Sequence, residues 1–178
     1  ALSHGHSDHT GGMAKLVAMT GKNNIPFAVH PSAFKSPRYL KFGEELKINF
    51  PKLTREMVKA AGLAAVETEK PYLLLEDTIL FLGEVPRTTD FETGWPLPHC
   101  HQDGNEVRDA IEDDTSIVMY LKDKGLVILS GCAHAGIINT VHHAMNVTGI
   151  EKIYAVMGGF HLAGPFFEPI IDRTTQEF

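Results

Sequence analysis

The sequence predicts an α/β (α+β) fold in which helices cover β-sheets, on three observations. Short β-rich runs alternate with stretches of helical period, the pattern of sheets flanked by helices. A hairpin is written into 116–121 and 126–129, which are apolar on both sides of the polar turn Lys122-Asp123-Lys124-Gly125. The 178 residues, 43% of them hydrophobic and 21% charged, have the length and composition of one soluble domain with its own core.

Taken in order, residues 4–12, His-Gly-His-Ser-Asp-His-Thr-Gly-Gly, read as a loop entering a helix from Gly12 to about Thr20. Met13, Leu16, Val17 and Thr20 have helical spacing, and Gly21-Lys22-Asn23-Asn24 stops the helix. Residues 25–30 form a short apolar strand closed by Pro31. Residues 31–52, rich in Pro, Lys and aromatics, read as irregular. Thr54 caps a helix over about 55–62 that Gly62 ends. Residues 63–68, 72–75 and 78–83 read as strands punctuated by Pro71 and Gly83. Residues 84–108 read as one long loop that carries the single Trp and the triplet His99-Cys100-His101. A loop of that length in a compact domain is functional or disordered. Asp113-Asp114 end the turn before the hairpin, a helix follows over about 137–148, and strand 153–157 runs into Gly158-Gly159-Phe160-His161. The chain starts at Ala1-Leu2-Ser3 and stops inside a helix-like stretch. It therefore reads as a fragment of one domain, residues 1–178, with a loop insertion at about 84–108.

Composition removes several function classes. Lys and Arg number 16 against 22 Asp and Glu, a net charge of −6, and the basic residues are scattered. Nucleic acid is not an expected partner, because binding it needs a concentrated basic face. No run approaches the roughly 18 apolar residues of a membrane helix, so no membrane partner is expected. Two cysteines, Cys100 and Cys132, are too few for a disulfide framework and point to a reducing, cytoplasmic setting. The oligomeric state stays open.

The chemistry concentrates in the first nine residues. His4 and His6 are two apart, so at the end of an extended segment both side chains point the same way. Asp8 continues the period and His9 follows at a helix start. Three imidazoles and a carboxylate within six residues make a pocket suited to Zn, Fe or Mn. A solvated loop that caps a helix through Ser7 or Asp8 does not need three histidines.

This run, His4-Gly-His6-Ser-Asp8-His9-Thr-Gly-Gly, resembles the His-x-His-x-Asp-His signature of the metallo-β-lactamase superfamily. The resemblance implies an αββα sandwich with the site at the edge of its two sheets. It implies His4 and His6 as ligands of a first metal, and Asp8 and His9 as ligands of a second. It also requires downstream ligands. His134, in the strand-to-helix turn Ser130-Gly-Cys-Ala-His134-Ala-Gly, is the first candidate, and His161 is the next. Cys132 occupies the place where the family often has a bridging Asp. A buried cysteine is inert by default; the alternatives are a thiolate ligand or a missing bridge. A final histidine of the second site is expected beyond residue 178.

A narrower resemblance spans the whole chain. The His motif, Gly83-Glu84-Val-Pro-Arg87 followed by Phe91-Glu92, Ser130 to Asn139, and Gly158-Gly-Phe-His161-Leu are similar to one subgroup. Its members are named as dihydropterin-methyl-ribofuranosylaminobenzene-phosphate synthases or simply as metal-dependent hydrolases. The implied cofactor is one or two divalent metals, zinc first, with iron or manganese as alternatives. The implied activity is hydrolysis of an ester, phosphodiester or related substrate by a metal-activated water, with Asp8 ligating or orienting that water. A synthase-type pterin transfer is the alternative, and a non-catalytic metal- or ligand-binding module is a further one. The expected partner is a small, anionic molecule. Glu84 and Arg87 are the substrate-binding candidates, since Arg87 can hold a phosphate or carboxylate through paired hydrogen bonds; an ion pair within the loop competes with that role. His99, His101, His142 and His143 receive no role.

Overall fold

Glycines and turn residues cut the chain into short elements, and the computed structural model, which describes residues 1–178, sorts them into two units. In chain order the first elements are α1 (Ser7–Thr10), α2 (Met13–Thr20), β1 (Ile25–Val29), β2 (Arg38–Phe42), β3 (Leu46–Asn49) and α3 (Arg55–Ala60). Next come β4 (Leu63–Glu67), β5 (Tyr72–Leu74), β6 (Ile79–Phe81), β7 (Pro98–Gln102) and β8 (Asn105–Arg108). The last are β9 (Ser116–Leu121), β10 (Gly125–Ser130), α4 (Ile137–Thr148), β11 (Ile153–Gly158) and α5 (Ile171–Glu177). No helix is long and apolar enough to cross a membrane.

The first unit comprises Ala1–Glu69 and Pro96–Asp113. Its core gathers Leu2, Val17, Phe27, Val29, Leu53, Val58 and Leu63. β1 and β4 pair in parallel, Ile25 opposite Leu63, and α3 lies between them in sequence, as a parallel pair requires. Thr54 caps α3 as expected, its hydroxyl accepting from the Met57 amide at 3.2 Å. The Leu2 amide donates to the Ala28 carbonyl at 2.9 Å. With the Leu2 side chain in the core, this bond fixes the backbone that delivers His4.

The irregular reading of 31–52 is overturned. Pro31–Phe34 is a 3-10 turn, and β2 and β3 form half of the four-stranded antiparallel sheet β3-β2-β7-β8. The signal was hidden because β3 is exposed along its whole length and Lys41 stands opposite Lys47. Two like charges face to face disfavour a strand pair. Glu106 of β8 offsets them, bonding Lys41 at 2.6 Å and also pairing with Lys47. The loop assigned to 84–108 ends early for a related reason. Its second half is the β7–β8 hairpin, closed by Asp103-Gly104 with φ of 51° and 80°. Asp-Gly is the usual two-residue hairpin turn, and it is the signal that should have marked these strands. His99, Cys100 and His101 therefore lie on a strand, with Cys100 buried, and not in a solvated loop.

The second unit comprises Lys70–Trp95 and Asp114–Phe178. Its five-stranded sheet runs β11-β10-β9-β6-β5. The predicted hairpin is β9–β10, antiparallel, and β10 pairs in parallel with β11 after the α4 crossover. α4 lays Val141 and Ala144 on Leu82, Val118, Leu126 and Ile128. Each buried Leu or Ile side chain there stabilises the unit by about 1.5–3 kcal/mol.

The start of α4 carries a cap that its own residues do not supply. Gly136, at the N-cap, has no side chain and a φ of +101°. A Cβ there would meet the Glu92 carboxylate at 2.3 Å. Glu92, buried, reaches in from the 82–95 segment and accepts from the Ile138 and Asn139 amides at 2.9 and 2.8 Å. Asn139 Oδ1 returns the connection by accepting from the Thr88 and Thr89 amides at 2.8 and 2.9 Å. A carboxylate on two orphan amides of a helix N-terminus is favourable through both hydrogen bonding and the helix dipole. Glu92→Ala should therefore destabilise the protein by about 2–3 kcal/mol, read as the urea midpoint at constant m-value. A loss below about 0.5 kcal/mol, the size of an ordinary surface substitution, would contradict the cap.

Candidate metal centre

Residues 3–9 leave β1's neighbourhood with little freedom. Gly5 sits so close to the Ala33 carbonyl that a Cβ would lie 2.4 Å from its oxygen. Only glycine allows that approach. On its other side the Gly5 amide donates to Asp113 Oδ2 at 2.6 Å. The residue between two histidines is thus held by backbone packing and by a carboxylate.

The flanking imidazoles come together as the two-residue spacing predicts. His4 is fully buried, His6 is nearly so, and His4 Nε2 lies 3.1 Å from His6 Nδ1. Two nitrogens held by one tetrahedral ion at about 2.1 Å each would stand about 3.4 Å apart, so this pair has the spacing of a shared ligand position. The Ser3 hydroxyl lies 3.2 Å from His4 Nδ1 and 3.3 Å from His9 Nδ1. It orients both rings, and sequence reading assigned it nothing. His9 is partly exposed, and Asp8, with a side chain 74% exposed, lies 3.6 Å from His9 Nε2. Residues 7–10 form a single helical turn, α1, instead of the expected loop.

Behind this segment sits an ion cluster that sequence reading missed. Arg38, at the start of β2, is 4% exposed and pairs with Asp113 through both amino nitrogens. Its Nε pairs with Asp109 at 2.6 Å. Asp113, expected merely to end a turn, is fully buried. Burial by itself would raise the Asp113 pKa, but the Arg38 hydrogen bonds and charge, with the Gly5 amide, hold it below the usual carboxylate range. Burial, then the neighbouring His6 and His9, push the His4 pKa down to about 3. Burial, then the Arg38 charge, also lower that of His6. Both imidazoles are therefore neutral at pH 7, the form that offers a lone pair to a metal.

The second unit carries its own histidine pair. His134, buried, and His161, half-buried, have ring centroids 4.5 Å apart. Trp95 stacks parallel to His134 at 6.0 Å and tilts against His161 at 4.8 Å. Phe167 meets the His161 ring edge-on at 4.7 Å. Ala133 and His161 adopt φ of 52° and 50°. Such left-handed backbone costs non-glycine residues about 1–2 kcal/mol and gathers where geometry serves a site. Cys132 is half-buried, so the fully buried state assumed for an inert cysteine does not describe it. Arg87 is exposed, and its guanidinium comes within 3.5 Å of the His134 carbonyl; Glu84 is exposed on the same segment. Phe91, Phe160, Phe166 and Phe167 line a pocket with His134. His143 bonds the Leu82 carbonyl at 3.2 Å, a structural contact.

The donor sets fit a divalent metal: closely grouped imidazoles oriented by neighbours, neutral at His4 and His6, with a carboxylate at hand. The lowered pKa values also set a pH dependence for the metal-free chain. His4 binds its proton at about pH 3 when folded and near 6.5 when unfolded. The unfolded state is thus the better proton acceptor between those values, and stability falls as pH drops through that window. The depressed Asp113 pKa adds a further loss below about pH 4. The urea midpoint of metal-free protein should decline steadily from pH 7 to pH 3, and His4→Gln should flatten the upper part of that decline. A midpoint independent of pH would contradict this assignment.

No family model matches the sequence. A 7,8-dihydropterin-6-methyl-4-(β-D-ribofuranosyl)-aminobenzene-5'-phosphate synthase of Methanocaldococcus jannaschii is 33% identical, over 96% of this chain and 58% of its own length. An uncharacterised protein of the same organism is 36% identical, over 92% of this chain and 57% of its own length. The chain thus spans somewhat over half the length of these curated relatives. A crystal structure described as a metal-dependent hydrolase of the β-lactamase superfamily superposes with a TM-score of 0.75 at 23% identity, over 99% of this chain and 62% of that one. The chain carries the metallo-β-lactamase fold and resembles, over nearly all of its own length, the dihydropterin-methyl-ribofuranosylaminobenzene-phosphate synthase.

Proposed function

We propose that this chain carries the core of a metal-dependent enzyme that hydrolyses an ester, phosphodiester or related bond in a small anionic substrate. The observation that supports it most is the 3.1 Å approach of His4 Nε2 and His6 Nδ1 in a buried, neutral pair. The candidate ligands, for one or two divalent ions, are His4, His6, Asp8 and His9 in the first unit and His134 and His161 in the second. Zinc is the first choice because imidazole and carboxylate donors suit it; iron and manganese accept the same donors. A divalent ion bound there polarises the oxygen it holds and lowers the pKa of its water to about 7.

The chain's own residues do the rest. His4 and His6 present neutral nitrogens without first losing a proton. Ser3 fixes which nitrogen of His4 and His9 faces outward. Asp8, the exposed carboxylate, is free to accept a hydrogen bond from an attacking water or to join the ligand set. Arg87, exposed and near His134, attracts the anionic end of the substrate. A second reading, a synthase-type transfer, is favoured by the 33% identity to the synthase. In that case the same residues hold a phosphate-bearing pterin reactant.

The decisive assay sets phosphodiesters, thioesters and lactones against a dihydropterin carrying a pyrophosphate leaving group on its methyl carbon, with a ribofuranosylaminobenzene phosphate acceptor that displaces pyrophosphate, using chain of known metal content. Turnover of the first group supports hydrolysis, and product from the second alone supports transfer. Asp8→Ala should abolish turnover while stability changes by no more than about 0.5 kcal/mol, because the side chain is exposed. Full turnover would remove Asp8 from the site. Arg87→Ala should raise KM for an anionic substrate with little change in kcat, the mark of lost uniform binding. An equal effect on a neutral substrate would show that Arg87 has no role with the anion.

A further inference from the structure

We infer that Asp113, clamped by Arg38, is a positioning residue that sets the separation of the His4 and His6 imidazoles through the Gly5 amide. The inference rests on the metal-dependent reading above. Gly5 is the only residue between the two rings, so its backbone position fixes the distance and angle between them. That backbone is held from two sides. The Ala33 carbonyl fills the space where a side chain would be, and Asp113 Oδ2 accepts from the amide at 2.6 Å.

The same oxygen also accepts from Arg38 Nη1 at 3.0 Å. Arg38 thus stops the carboxylate from turning and compensates its charge at a fully buried position. An ion pair needed for stability alone has apolar substitutes that serve as well. A carboxylate that reaches an amide 108 residues away in sequence has no apolar substitute. Asp109 is a natural control. It is as deeply buried and pairs with the same guanidinium, but its remaining bond goes to the Ile111 amide at 2.9 Å and not to the Gly5 amide.

The test compares zinc affinity, by competition with a chromophoric chelator, among the 178-residue chain, Asp113→Asn and Asp109→Asn. Asparagine keeps one oxygen and puts an NH2 donor where the other stood, against either the Arg38 guanidinium or the Gly5 N–H, so the Arg38 clamp and the bond to the Gly5 amide cannot both persist. Asp113→Asn should weaken zinc binding about 10–100-fold, the usual cost of losing an outer partner of a metal ligand. Its cobalt-substituted form should show shifted d–d bands. Asp109→Asn should lower thermal stability comparably but leave both metal readouts close to wild type. Equal zinc affinity in Asp113→Asn and wild type overturns the positioning role, as does an equal loss in Asp109→Asn. If wild type binds no zinc, cobalt, iron or manganese, the metal-dependent reading itself falls, and this inference with it. If Asp113→Asn does not fold, amide hydrogen exchange of wild type decides. A Gly5 amide as protected as the β1 amides supports the clamp, and one that exchanges freely overturns it.

Discussion

The histidine segment of the first unit depends on one buried hydrogen bond, from the Gly5 amide to the Asp113 carboxylate. A histidine-rich segment with glycines at 5, 11 and 12 would otherwise have wide backbone freedom. Here the core residue Leu2 anchors it on one side, and Asp113 with Arg38 anchors it on the other. Burying a carboxylate is costly unless its lone pairs and charge are matched. Arg38 supplies the charge, the Gly5 amide fills a lone pair, and the pKa of Asp113 stays low as a result. The neutral state of His4 follows from the same crowded, desolvated surroundings. Site geometry and site electrostatics in this unit thus share one cause.

The second unit solves a similar problem by other means. Its histidines lie on turns that follow β10 and β11, the sheet's one parallel pair. The left-handed backbone at Ala133 and His161 is a strain that the surrounding structure must overcome. Helix α4 does part of this. Glu92 and Asn139 tie its first turn to the 82–95 segment, and that segment also brings Arg87 and Trp95 to His134. Glu92 and Asn139 thereby fix the start of the helix that follows the His134 turn. They hold the ground on which the histidine stands.

Much of this was legible in the sequence where the signal is local. The period of 137–148, the Thr54 cap and the Lys122–Gly125 turn each declare their element within a few residues, and the structure has all three. The pairing of His4 with His6 was legible for the same reason, since a spacing of two is a property of one segment. What could not be read depends on partners far along the chain. Arg38 and Asp113 are 75 residues apart, and neither residue type in its own context suggests burial. Strands β2 and β3 looked too charged to be strands until Glu106 arrives from β8 to offset Lys41 and Lys47. The β7–β8 hairpin is a different kind of miss. Its Asp103-Gly104 turn was present in the sequence, but the prolines and histidines before it (Pro96, Pro98, His99, His101) obscured the strands.

The central claim is that the buried His4–His6 pair belongs to a metal centre. Elemental analysis of chain purified without added metal, beside His4→Gln and His6→Gln, tests it most directly. The account predicts one or two equivalents of zinc, iron or manganese in wild type and the loss of at least one equivalent in each variant, with folding retained by circular dichroism. Metal content unchanged by either substitution, in folded protein, would contradict it.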